Sequence, residues 1–210
     1  MTGSPPEIHV VDDPELAVGD LIAQQARRGG SIVLTGGSSV ARSYERAASI
    51  TPDWSEVTVW WGDERCVPPD DDLSNFKLAK ESLLDSLEVE PKDVHRIRGE
   101  LQPADAAGEL DKSLDGVELD FLLLGLGPDG HCASLFPGSP QLGITDRRAV
   151  SGPAGLEPWV DRVTMTMPTL QSAKRIVFVA SGASKADAVA RAFGGDVSQD
   201  VPASLTRLAN

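Results

Sequence analysis

The stretch DFLLLGLGPDGHCASLFPG, from Asp120 to Gly138, sets an acid and a histidine inside a glycine-rich turn. His131 follows Gly130 directly and lies two residues beyond Asp129. Histidine is the natural general base at neutral pH. A nearby carboxylate can orient the imidazole and support its protonated form, although Asp-Gly is also a common turn pair with an Asx bond of its own. The glycines Gly125, Gly127 and Gly130 spell G-x-G-x-x-G after an apolar run, the letter pattern of a dinucleotide-binding turn. Such a turn needs a substantial helix behind it to hold a pyrophosphate. Pro137 leaves room for only about one helical turn, and the motif lies past the middle of the chain. The glycines are therefore expected to let the backbone approach a ligand closely and to deliver Asp129 and His131 into a cleft.

Three further groups could serve the same chemistry. LTGGSSV carries Thr35, Gly36, Gly37 and Ser38 between a strand and a helix, where backbone N–H groups form an anion nest or an ordinary capped turn. WWGDERCVP places Asp63, Glu64 and Arg65 right after an apolar run. That triplet is either a solvated face or the source of a guanidinium for a carboxylate, a phosphate or a developing oxyanion. SGASKADA puts Lys185 in the first turn of a helix, a position mildly unfavourable for a cation unless an anion is shared there. Cys132 beside His131 points away from it in extended chain and reads as packing. Cys66, Cys132 and His131 lack any zinc-ligand spacing. Neither a Walker A string nor G-x-S-x-G occurs.

Apolar runs alternate with amphipathic stretches along the chain. Strands are expected at Ile8–Val11, Ser31–Thr35, Val57–Trp61, around "DVHRI", at "DFLLL", Arg162–Met167 and Arg175–Ala180. Helices are expected over "PELAVGDLIAQQARR" with Asp13 as N-cap and Pro14 at N1, over Val40–Ala48, "FKLAKESLLDSL", "PADAAGELDKSL", "PTLQSA" and "KADAVARAF". GDERCVPPDDDLSN reads as loop. The alternation argues an α/β fold with a mostly parallel central sheet. Ligands bind such sheets beyond the C-terminal ends of the strands, so the four loops above are expected to converge on one face.

The 210 residues favour a single domain. With 40% hydrophobic and 24% charged residues, the composition is that of a globular chain. A net charge of −13 argues against nucleic acid and anionic membranes as partners. An anionic ligand would then need local cations rather than steering by the whole molecule. No secretory signal and no apolar run of membrane-spanning length is read, and two cysteines make no disulfide framework, so a cytoplasmic setting is expected.

Together, LTGGSS, WWGDERCVP with SNF downstream, GLGPDGHCASLFPG, RVTMTMPTL and the SGASKADA turn resemble the 6-phosphogluconolactonase family, within the wider glucosamine-6-phosphate isomerase/6-phosphogluconolactonase superfamily. The strings fall in the family's order and span Leu34 to about Ala188. The resemblance implies a modified Rossmann-like three-layer fold of the sugar-phosphate isomerase kind. It implies hydrolysis of 6-phospho-D-glucono-1,5-lactone to 6-phospho-D-gluconate in the oxidative pentose phosphate pathway, with no metal and no nucleotide cofactor. Carried over, His131 is the general base, Arg65 the active-site arginine and Asp129 the third member of the catalytic set. Thr35, Gly36, Gly37 and Ser38 match the phosphate-binding turn and Lys185 the phosphate-binding lysine. Asp63, Glu64, Asn75, Gly127, Gly130 and Arg162 complete the substrate-binding set. The expected partner is a small phosphorylated sugar lactone, bound by a monomer or weak dimer. Relatives run on past the PASL string, so the resemblance leaves a short C-terminal tail as an element this chain is expected to lack.

Two other readings stand beside this one. The deaminase branch of the superfamily resembles G-x-G-x-D-G-H-I-A-F-N-E, with an acid five residues after the histidine and an aromatic residue at the arginine position. Here those positions hold Phe136 and Arg65, which favours the lactonase branch. The remaining reading is a non-catalytic sugar-phosphate sensor.

Overall fold

A computed structural model describes residues 6–37 and 39–209. Eight strands follow one another along the chain: β1 (Gly30–Leu34), β2 (Val57–Trp61), β3 (Asp63–Arg65), β4 (Asp93–His95), β5 (Phe121–Gly125), β6 (Ala149–Gly152), β7 (Arg162–Met165) and β8 (Ile176–Val179). Five of them form a parallel sheet in the order β4-β2-β1-β5-β8. The other three form a small antiparallel sheet in the order β3-β7-β6. Among the described residues, no helix is long and apolar enough to cross a membrane.

The central strands explain their own position. Ile32, Val33 and Leu34 of β1, and Phe121 to Leu124 of β5, are fully buried. Continuous apolar runs of this kind suit strands covered on both faces. Helices α1 (Pro14–Ala26), α2 (Ala41–Ile50), α3 (Asn75–Ser82) and α4 (Pro103–Ser113) supply flanking cover. α1 starts as its sequence predicts, with Pro14 at its first position and the Asp13 carboxylate accepting from the Leu16 N–H at 3.1 Å. Trp54, Trp61 and Tyr44 fill the same core.

Four expectations are corrected. Ile8–Val11 is not a strand; Ile8 and Val10 are exposed, so the apolar residues have no face to bury against. Asp63–Arg65 is not loop but β3, made a strand by pairing with β7 about a hundred residues away. β6 was not anticipated, and it pairs β7 on the other side. The segment after β8 is not one regular helix. It runs as a 3-10 turn (Ala183–Lys185), the short helix α6 (Ala186–Val189) and a wide π turn (Ala190–Gly194), while the short helix α5 (Met167–Gln171) precedes β8.

Candidate active site

Because the five strands of the large sheet are parallel, the loops after β1, β2, β5 and β8 leave the same edge. They meet around a cleft of about 460 Å³ lined by Thr35, Gly36, Gly37, Asp63, Arg65, Gly127, His131 and Lys185. Asn75 and Arg162 also line it. The predicted convergence of four loops therefore holds in the structure.

The turn after β5 is shaped around the histidine. The Asp129 carboxylate accepts from His131 Nδ1 at 2.6 Å and from the His131 backbone N–H at 3.1 Å. Burial raises the Asp129 carboxyl, and the bonds from His131 outweigh it, leaving the group below its ordinary value. With Nδ1 engaged as a donor, Nε2 of the neutral ring is left as the acceptor. The imidazole also leans on Phe136, with ring centroids 4.7 Å apart. A Cβ on Gly127 would lie 2.0 Å from His131 Nδ1 and 2.6 Å from the Asp129 carboxylate, so only glycine admits the pair. Gly130 sits at φ +93°, in the left-handed region, and lies behind the cleft rather than on its wall. Asp129 likewise stands behind His131. No helix follows: Cys132 bridges back to Leu135, and Ala133 between them is at φ +48°. The geometry removes the helix that a dinucleotide turn would require.

The small sheet brings two cations to the cleft. Arg65 of β3 and Arg162 of β7 are directly paired in register. Arg65 donates to the Leu73 carbonyl at 2.6 Å, and Arg162 donates to the Pro158 carbonyl at 2.9 Å. Arg162 is 4% exposed, and its Nε has no partner among the described residues. Burial first, and then the neighbouring Arg65, pull the Arg162 pKa down. Asp63 accepts from the Ser134 hydroxyl at 2.7 Å, and its carbonyl accepts from the Asn75 amide at 2.9 Å. These bonds tie the β2 loop to the histidine turn and to α3.

Glu64 does a different job from the one expected of it. It is 2% exposed and does not line the cleft. Its carboxylate accepts from the backbone N–H groups of Arg65, Asn75 and Phe76 and from the Ser74 hydroxyl, at 2.7 to 3.0 Å. It thus closes the N-terminus of α3, where backbone donors would otherwise be orphaned. Burial pushes its carboxyl up, against the pull of these donors.

Lys185 lines the same cleft and donates to the Leu126 carbonyl at 2.6 Å. α2 begins with Val40 as its N-cap and, among the described residues, no side-chain cap bond, and Gly37, Ser39 and Val40 line the cleft. Thr35 is held by Tyr44, whose hydroxyl donates to the Thr35 carbonyl at 2.6 Å and accepts from its N–H at 3.0 Å. Ser38 lies outside the described residues. Both cysteines are poor nucleophiles: burial pushes the Cys66 thiol up to about 11 and the Cys132 thiol up to about 12.

Sequence reasoning missed Arg191. Its guanidinium donates to the Pro128 carbonyl at 2.7 Å and the Asp129 carbonyl at 3.3 Å. Its spacing from Asp187 reads as an ordinary surface pair of a helix, so the sequence carries no signal for this contact.

The 6-phosphogluconolactonase of Mycobacterium tuberculosis is 37% identical over 205 residues, covering 89% of this chain and 82% of that protein. The solved 6-phosphogluconolactonase of Trypanosoma brucei superposes with a TM-score of 0.83 at 26% identity, over 99% of this chain and 94% of that one. A monomeric glucosamine-6-phosphate deaminase superposes as well, with a TM-score of 0.84, 98% and 93% coverage and 20% identity, a likeness of fold alone. The family model for glucosamine-6-phosphate isomerases/6-phosphogluconolactonase matches residues 15–210, and the chain belongs to that family.

Proposed function

We propose that the chain is a hydrolase that opens 6-phospho-D-glucono-1,5-lactone to 6-phospho-D-gluconate. The observation that carries this reading is the Asp129-bound His131 in a cleft that Arg65 and Arg162 also line. In the proposed reaction, His131 Nε2 takes a proton from water as the water oxygen bonds to the lactone carbonyl carbon. Arg65 stabilises the oxyanion that forms. The carbon–oxygen bond of the ring then breaks, and the imidazolium returns its proton to the departing ring oxygen. Lys185 and the N–H groups of the Thr35–Gly37 turn hold the phosphate at a distance and fix the reacting carbon. A lactone is an activated ester, so no covalent nucleophile is needed. The reading is metal-free. It also treats residues 1–210 as one domain in a cytoplasmic setting, with no nucleic-acid or membrane partner.

The test uses lactone made fresh by oxidising glucose 6-phosphate. The protein should shorten the lactone's half-life, and His131→Ala should lose about 10²–10⁴-fold in kcat. Near-full turnover by His131→Ala would sink the mechanism. Ammonia release from glucosamine 6-phosphate would favour the deaminase. Binding of 6-phosphogluconate with no effect on the lactone would favour a sensor.

A further inference from the structure

The turn that carries Asp129 and His131 is held from behind by a segment outside the cleft. Phe178 of β8 meets Phe193 edge-on at 5.1 Å, and Ala188 and Ala192 are buried, so the segment after β8 is seated on the core. Arg207 donates to the Gly195 carbonyl at 2.6 Å and closes its far end. From this base Arg191 reaches the Pro128 and Asp129 carbonyls. Among the described residues, no other hydrogen bond reaches either carbonyl. Asp187 fixes the guanidinium by accepting from its Nε at 2.8 Å. Arg191 does not line the cleft.

We propose that Arg191 is a positioning residue that sets the angle of the His131 imidazole by clamping the carbonyls of Pro128 and Asp129. The clamp acts on the backbone that bears the Asp129 carboxylate, and the carboxylate in turn holds Nδ1. A planar guanidinium suits this role because it presents two donors in a fixed fork. Lysine would reach one carbonyl without fixing the other. The effect on turnover rests on His131 acting as the base; the effect on the imidazole does not.

The experiment has an arm free of activity. In ¹H–¹⁵N spectra of the full chain, the His131 Nδ1–H resonance should move or broaden in Arg191→Ala. In lactone hydrolysis, kcat should fall about 10-fold or more while KM stays within about 2-fold, as expected when a reacting group is misplaced without losing substrate contacts. Added ethylguanidinium should restore part of the loss. Asp187→Ala, at an exposed acid, keeps the question open if Arg191→Ala fails to fold; it should shift the same resonance less and lower kcat about 2- to 3-fold. An unmoved His131 resonance in the folded variant overturns the proposal whatever the activity. A resonance that moves in Arg191→Ala, when the wild-type protein itself shows no lactonase activity, supports the clamp and sinks the hydrolase reading instead.

Discussion

Asp129 holds His131 twice, through its ring at 2.6 Å and through its own backbone N–H at 3.1 Å. One carboxylate oxygen therefore engages both the ring and the main chain of the same residue. This makes the pair a rigid unit, and variants that break it should act on kcat more than on KM.

Asp129→Asn keeps an acceptor oxygen but loses the charge that supports an imidazolium. Steady-state kinetics should show kcat down by about 10- to 10²-fold with little change in KM. The same variant tests the pH dependence of stability. A carboxyl held below its ordinary value stabilises the fold above that ordinary range, near pH 4, and the contribution is lost as pH falls through the lowered value. Urea midpoints of the wild type and Asp129→Asn should therefore differ at neutral pH and converge in acid. A gap that widens in acid would show the wrong sign.

Lys185→Ala removes a cation that lines the cleft. A charge-assisted hydrogen bond is worth about 1.5–3 kcal/mol, so KM should rise about 10- to 100-fold. The variant should show no such loss toward an unphosphorylated lactone. Equal losses on both substrates would remove Lys185 from the phosphate site.

Glu64→Gln should lower stability rather than chemistry. The amide would set its NH₂ against donors that the carboxylate now accepts. Two buried donors left unsatisfied cost about 2–6 kcal/mol together, measurable by chemical denaturation. A stability unchanged from wild type would mean that Glu64 does not hold the start of α3.

The sequence made the large sheet legible because β1, β2 and β5 are continuous apolar runs, and such runs are strands wherever they are buried. The loops that follow them were legible for the same reason. The small sheet was hidden. Asp63–Arg65 has three charged residues and no apolar periodicity, so only its partner β7, far along the chain, makes it a strand. Ile8–Val11 failed in the opposite way, having strand-like residues and nothing to pair with. Glu64 was expected in the substrate-binding set along with its neighbour Asp63, next to Arg65 of the catalytic set. Strand alternation sends the Arg65 and Glu64 side chains to opposite sides, one to the cleft and one to α3.

Arg65 and Arg162, locked opposite each other by the register of β3 and β7, have a consequence for turnover. On the hydrolase reading, opening the lactone creates a second anionic group on the ligand, beside two guanidiniums that already repel one another. Product is then held more firmly than substrate in an otherwise acidic molecule. Departure rather than bond-breaking becomes the slow event at low salt, and added electrolyte, by screening that attraction, should quicken the cycle.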